Sequence, residues 1–159
     1  LMTKPISRRE VFLTKMLILF TLLFLIVFIQ VAFAYLGVKI FGEENVDWSV
    51  FTTMHVHGLG LLIFFTCLGV FMSMLLRART NFMGIIVGVV FGSYFLDAIS
   101  KAVEQVNWLG YFSPNHYLDF NIFEVGYGVR TISLTIFIIL SLLLILSSYL
   151  IFRKKDIVT

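Results

Sequence analysis

Residues 16–38 read MLILFTLLFLIVFIQVAFAYLGV, and this stretch decides the fold class. Sixteen of its residues are Leu, Ile, Phe or Val. They run all the way round a helix, so no polar face is left for water. On insertion scales the run is worth on the order of −5 to −10 kcal/mol, enough to outweigh Gln30 and one flanking charge. A bilayer core about 30 Å thick needs roughly 20 apolar residues per helix, and this segment supplies them.

Working outward, three more apolar runs follow: Val50–Leu76, Phe82–Leu96 and Ile132–Phe152. The third reaches spanning length when Asp97 to Ser100 are counted at its polar end. The expected spans are therefore 16–38, 50–76, 82–100 and 131–152. The 159-residue chain is 60% hydrophobic and 13% charged, with mean hydropathy +1.01. Such values lie outside the range of soluble domains. The expected fold class is all-α, a polytopic membrane helical bundle in a single transmembrane domain over 1–159.

Charge sets the orientation. Lys4, Arg8, Arg9, Lys15, Arg77, Arg79, Arg153, Lys154 and Lys155 fall on one side of a four-span arrangement. Only Lys39, Lys101 and Arg130 fall on the other, with Glu43, Glu44, Asp47, Asp97, Glu104, Asp119 and Glu124. This positive-inside bias places both termini in the cytoplasm, with the cell membrane as the expected location. The net charge of +3 thus reflects topology and gives no reason to expect nucleic acid. Cys67 sits mid-span as a small packing residue. Ala32-Phe33-Ala34 has the small-x-small form of a signal cleavage site, but the apolar run continues past it, so the segment reads as a span.

Between the spans, Ser7-Arg8-Arg9-Glu10 fits a capping box at the head of the first helix. Residues 1–15 form a basic cytoplasmic segment broken by Pro5. Leu76 to Asn81 is a tight inner turn. Gly84, Gly88 and Gly92 recur every fourth residue, a spacing that permits close helix packing, read here as packing within the chain. The stretch 101–128 is an outer amphipathic segment. Ile99, Val103, Val106 and Trp108-Leu109 line one side of a short helix, broken by Tyr111-Phe112-Ser113-Pro114. A second short segment over Tyr117 to Phe123 precedes a Gly126-Tyr127-Gly128 turn. Both are expected to lie in or dip into the outer leaflet as interfacial or re-entrant helices.

The residues that could carry chemistry are few. His55, His57 and His116 all map to the outer side. His55 and His57 are two apart, about 200° around a helix, and none of the three has metal-ligand spacing. No metal or haem site is expected. Asp97 stands at the outer end of the third span, and Lys101 one turn on is positioned to pair with it. No phosphate-binding loop and no catalytic grouping occurs, so the chain is not expected to be an enzyme.

Three stretches carry a family likeness: LMTKPISRREVFLTK at 1–15, NWLGYFSPNHYLD at 107–119 and YLIFRKKDIV at 149–158. In this order and spacing the chain resembles the permease subunit of ABC transporters of the ABC-2 type. The resemblance implies that the four spans correspond to the last four of a six-span permease. It implies a separate cytoplasmic ATPase subunit that binds the ATP, with no cofactor on this chain, and a second permease copy or companion half as partner. It places Lys4, Pro5, Ile6, Ser7, Arg8, Arg9 and Glu10 in the ATPase-coupling region. It also makes Asp97, Trp108, Tyr111, Ser113, Pro114 and Tyr117 candidates for an outer gate. Export by alternating access is the expected activity. Two other readings stay open from the residues alone: a small non-transporting membrane protein, such as an immunity or assembly factor, and a metal- or haem-binding protein using the outer histidines.

Overall fold

The structure, a computed structural model, describes residues 7–42, 46–76, 81–118, 120–122 and 126–154. Their regular structure is helical: α1 (Arg8–Phe41), α2 (Trp48–Leu75), α3 (Phe82–Ala102), a 3₁₀ segment (Glu104–Phe112), α4 (Pro114–Tyr117) and α5 (Thr131–Lys154). α1, α2, α3 and α5 are long and apolar enough to cross a membrane. The all-α expectation and the four spans hold.

The helices start where polar side chains satisfy orphan amides. Ser7 and Glu10 form the reciprocal capping box: the Glu10 amide donates to Ser7 Oγ at 3.2 Å and the Ser7 amide to Glu10 Oε2 at 3.1 Å. α2 begins at Asp47, whose Oδ1 accepts from the amides of Ser49 and Val50. α3 begins at Asn81, whose Oδ1 accepts from the Gly84 amide. α1 is 34 residues long, about 51 Å at 1.5 Å per residue. It exceeds a 30 Å hydrocarbon core because the basic stretch from Arg8 to Lys15 is already helical.

The chain divides into two compact units: Leu1–Val46 with Leu146–Thr159, and Asp47–Ile145. In the first, the start of α1 meets the end of α5. The Phe12 ring lies 5.4 Å from Tyr149 and 5.6 Å from Phe152. The Arg8 guanidinium donates to the Arg153 carbonyl at 3.1 Å. In the second unit, Leu61 of α2, Phe137 of α5 and Leu118 form the buried apolar centre, with Phe64, Phe65 and Leu134 around it. Cys67, fully buried, is a packing residue as expected.

Among the described residues, a Cβ added at Gly88 or Gly92 meets no atom within 4 Å. Gly84 has a different task, since a Cβ there would sit 3.1 Å from Asn81 Nδ2 and crowd the cap. The second short helix lies earlier than the expected Tyr117–Phe123. It is α4, Pro114–Tyr117, because Pro at the first helical position and Ser113 at the cap start a helix immediately after the break.

Candidate functional site

α3 carries a polar stripe near its C-terminal end: Ser93, Asp97 and Ser100, at intervals of four and three residues that share one helix face. All three are buried. What buries them is the chain itself, folding back. After Val103 the 3₁₀ segment runs back along α3 as far as Ser113, and α4 turns out again. Ser113 Oγ donates to the Ser93 carbonyl at 2.7 Å, and Asn115 Nδ2 donates to Ser93 Oγ at 3.3 Å. Ser93 lies nine residues before the end of α3, about 14 Å along the axis, so the hairpin folds back along α3 to that level.

Each rung of the stripe has a partner on the hairpin. At Asp97, Oδ1 lies 3.5 Å from His116 Nδ1, while Lys101 Nζ holds Oδ2 at 2.9 Å. The Asp97–Lys101 pair is the one expected from the sequence. At Ser100, Gly110 comes so close that an added Cβ would sit 2.7 Å from both Ser100 Oγ and His116 Nδ1. Ser113 also caps α4 by accepting from the Asn115 amide. Tyr117 Oη closes the hairpin by donating to the Tyr111 carbonyl at 3.0 Å. The stripe thus supplies polar partners to the folded-back segment.

The hairpin also forms one wall of a cleft of about 340 Å³. Tyr111, Phe112, Ser113, Pro114 and Tyr117 face Phe64 of α2 and Ser133, Ile136, Phe137 and Leu140 of α5. Five of the six outer-gate candidates therefore come together around hairpin and stripe. Trp108 does not. It is exposed and packs edge-on against Phe112 at 6.1 Å, away from the cleft lining.

The histidines go separate ways. His55 Nδ1 pairs with the Phe51 carbonyl of its own helix at 2.7 Å. His57 is fully buried, and its Nε2 accepts from the Arg130 amide just before α5. That ring satisfies a backbone donor ahead of a helix start. Phe120 and Tyr127 stand edge-on to it at 6.4 and 6.0 Å.

At the other end, Ser7, Arg8, Arg9 and Glu10 form the first turn of α1, with Arg9 exposed and Arg8 directed to Arg153. Lys4, Pro5 and Ile6 lie outside the described residues. Residues 1–157 match the family described as ABC-2 family transporter protein. The chain belongs to the ABC-2 transporter family. No curated protein and no solved structure gives a significant match.

For an ABC-2 family chain the two sites read as parts of a transport membrane component. The hairpin site contains an acid, a base and hydroxyls, but each hydroxyl is spent on the backbone: Ser93 on Val90, Ser100 on Asp97 and Ser113 on Ser93. The sequence reading missed Ser93, Ser100, Gly110, Asn115 and His116 as a set. Their signal was present as the i, i+4, i+7 polar stripe in an apolar span.

Proposed function

We propose that this ABC-2 family chain is the permease subunit of an ATP-driven exporter, worked by a separate cytoplasmic ATPase subunit that holds the ATP. Two permease units, a second copy or a companion half, enclose the path in the cell membrane. The chain moves its cargo by alternating access, and the re-entrant hairpin is its outer gate. The ATPase bears on the segment from Lys4, Pro5 and Ile6 through Ser7, Arg8, Arg9 and Glu10.

One observation supports this reading above the others. α1 runs unbroken from its capping box into the span, and its first turns are tied to the end of α5 through Arg8–Arg153 and the Phe12 ring contacts. A load applied at the first turn therefore reaches two spans without bending a loop. Within that turn the roles divide: Arg8 holds α5, and Arg9 is the side chain offered to a partner.

The test is Arg9→Glu in the chain co-expressed with its ATPase subunit. Transport-coupled ATP hydrolysis should fall at least fivefold, with the amount of inserted protein unchanged. Hydrolysis unaffected by Arg9→Glu would remove the coupling role. Failure of any ATPase to co-purify with the wild-type chain would favour a non-transporting membrane protein instead.

A further inference from the structure

Two buried polar atoms at the heart of the hairpin site lack a hydrogen bond, and they face each other. Asp97 Oδ1 and His116 Nδ1 are both inaccessible and unpartnered at 3.5 Å separation. Buried polar groups are nearly always satisfied, so such a pair is a place where something is missing. Ionisable groups at membrane depth are functional candidates by default. What is missing is small. Gly110 already packs so tightly against His116 Nδ1 and Ser100 Oγ that no methyl group fits, and a proton does.

Where the proton goes follows from the neighbours. Lys101 Nζ holds Asp97 Oδ2 at 2.9 Å, which leaves Oδ1 to face the imidazole. The other titratable groups facing the imidazole are Tyr111 of the 3₁₀ segment, ring to ring at 5.3 Å, and Tyr117 of α4 itself at 5.7 Å. From α5 the Phe137 ring is set against Tyr117. Asp97 is thus the acceptor aimed at Nδ1, and Nδ1 is the atom that can become a donor.

We propose that Asp97 and His116 form a one-proton site that latches the re-entrant hairpin to α3 and so controls access to the cleft behind it. When the imidazole carries its hydrogen on Nε2 only, two lone pairs oppose each other and the hairpin is loosely held at this rung. Taking a proton from water onto Nδ1 turns the contact into a charge-assisted hydrogen bond, and losing it returns the proton to water. No other bond forms or breaks. Histidine is the side chain suited to doing this near neutral pH. Tyr111 and Tyr117 both line the cleft and flank the ring, so release of His116 frees that wall. The latch is closed in acid and released in base. It does not depend on the chain being driven by an ATPase.

The experiment measures backbone hydrogen exchange over 104–117 in the full chain in lipid nanodiscs at pH 5.5 and pH 8.0, corrected for the intrinsic pH dependence of exchange. A hydrogen bond to a charged group is strong enough to change hairpin opening by about tenfold. Wild type should show that loss of protection at pH 8.0, while His116→Gln and Asp97→Asn should show the unprotected value at both pH values. Equal protection of wild type at the two pH values would overturn the proposal, since it means that the pair is already satisfied by the other neutral tautomer. A pH dependence that survives in His116→Gln would overturn it too. If neither variant accumulates, the wild-type comparison still decides, read with the ¹⁵N shifts of the His116 ring: a ring that does not titrate between the two pH values sinks the latch.

Discussion

Ser113→Ala removes the hydroxyl on which the hairpin turns. In the wild type that hydroxyl is fully buried, donates to the Ser93 carbonyl at 2.7 Å and accepts from the Asn115 amide at 3.2 Å. Hydrogen bonds between helices in membranes average about 0.6 kcal/mol and reach about 1.7. Loss of a side-chain N-cap costs about 1 kcal/mol. The two losses fall on one short element and together come to about 2 kcal/mol. At 1.4 kcal/mol per factor of ten, hairpin opening should become about 30-fold more frequent. Amide exchange in nanodiscs reads this directly. The effect should be confined to residues 104–117, and the first turns of α1 should be unchanged. Asn115→Ala is the comparison: it loses only the longer contacts from Nδ2 to Ser93 and Ser113, at 3.3 and 3.4 Å, and should cost about 0.5 kcal/mol. If Ser113→Ala costs less than Asn115→Ala, the hairpin is not hung on this hydroxyl and the argument fails.

Gly110→Ala should be worse than either, because its Cβ would enter 2.7 Å from both Ser100 Oγ and His116 Nδ1. Overpacking of this kind costs about 1–3 kcal/mol, seen as lost protection over the same residues, and wild-type protection would refute the close approach. Gly88→Ala and Gly92→Ala should be neutral or stabilising by roughly 0.5–1 kcal/mol each, since Ala is the better helix former and the added methyl meets nothing in its unit. A clear loss of stability on SDS titration of either variant would show that the glycine face is packed after all.

Hydropathy made the four spans legible because they are apolar on every side, and length then gave their bounds to within a few residues, α1 excepted. Ser7-x-x-Glu10 was legible for a different reason: a capping box is a local pattern with a fixed geometry. The centre of the second unit was not legible, because burial in a membrane protein does not follow hydrophobicity. Phe28, Leu17 and Ile132 are exposed, while Thr53, His57, Ser93, Asp97, Ser113 and Ser148 are buried. Against lipid a leucine gains nothing by being inside, whereas a hydroxyl or carboxylate must be there to find a partner. A search for apolar periodicity therefore reads the glycine stripe as the contact face of α3. The opposite search, for the few polar residues at helical spacing, finds Ser93, Asp97 and Ser100.

That inversion also explains why the hairpin holds one register. A hairpin sliding along an apolar α3 would meet an equivalent surface at every turn, since methyl groups do not distinguish one turn from the next. Three unlike rungs remove that degeneracy: a carbonyl and hydroxyl at Ser93 for Ser113 and Asn115, a carboxylate at Asp97 for His116, and a small polar gap at Ser100 for Gly110. Sliding by one turn would set the Ser113 hydroxyl beside the Asp97 carboxylate. The same slip would draw His116 off its acid and bring a larger side chain than Gly110 to the Ser100 gap. The slip strands the Ser113 and Ser93 groups that pair in this register, at about 1–3 kcal/mol, and drives a side chain into a gap that takes no methyl group, at about 1–3 kcal/mol more. The middle rung is the only one whose strength a proton can change, which is why control falls to Asp97 and His116 while Ser113 and Gly110 fix position.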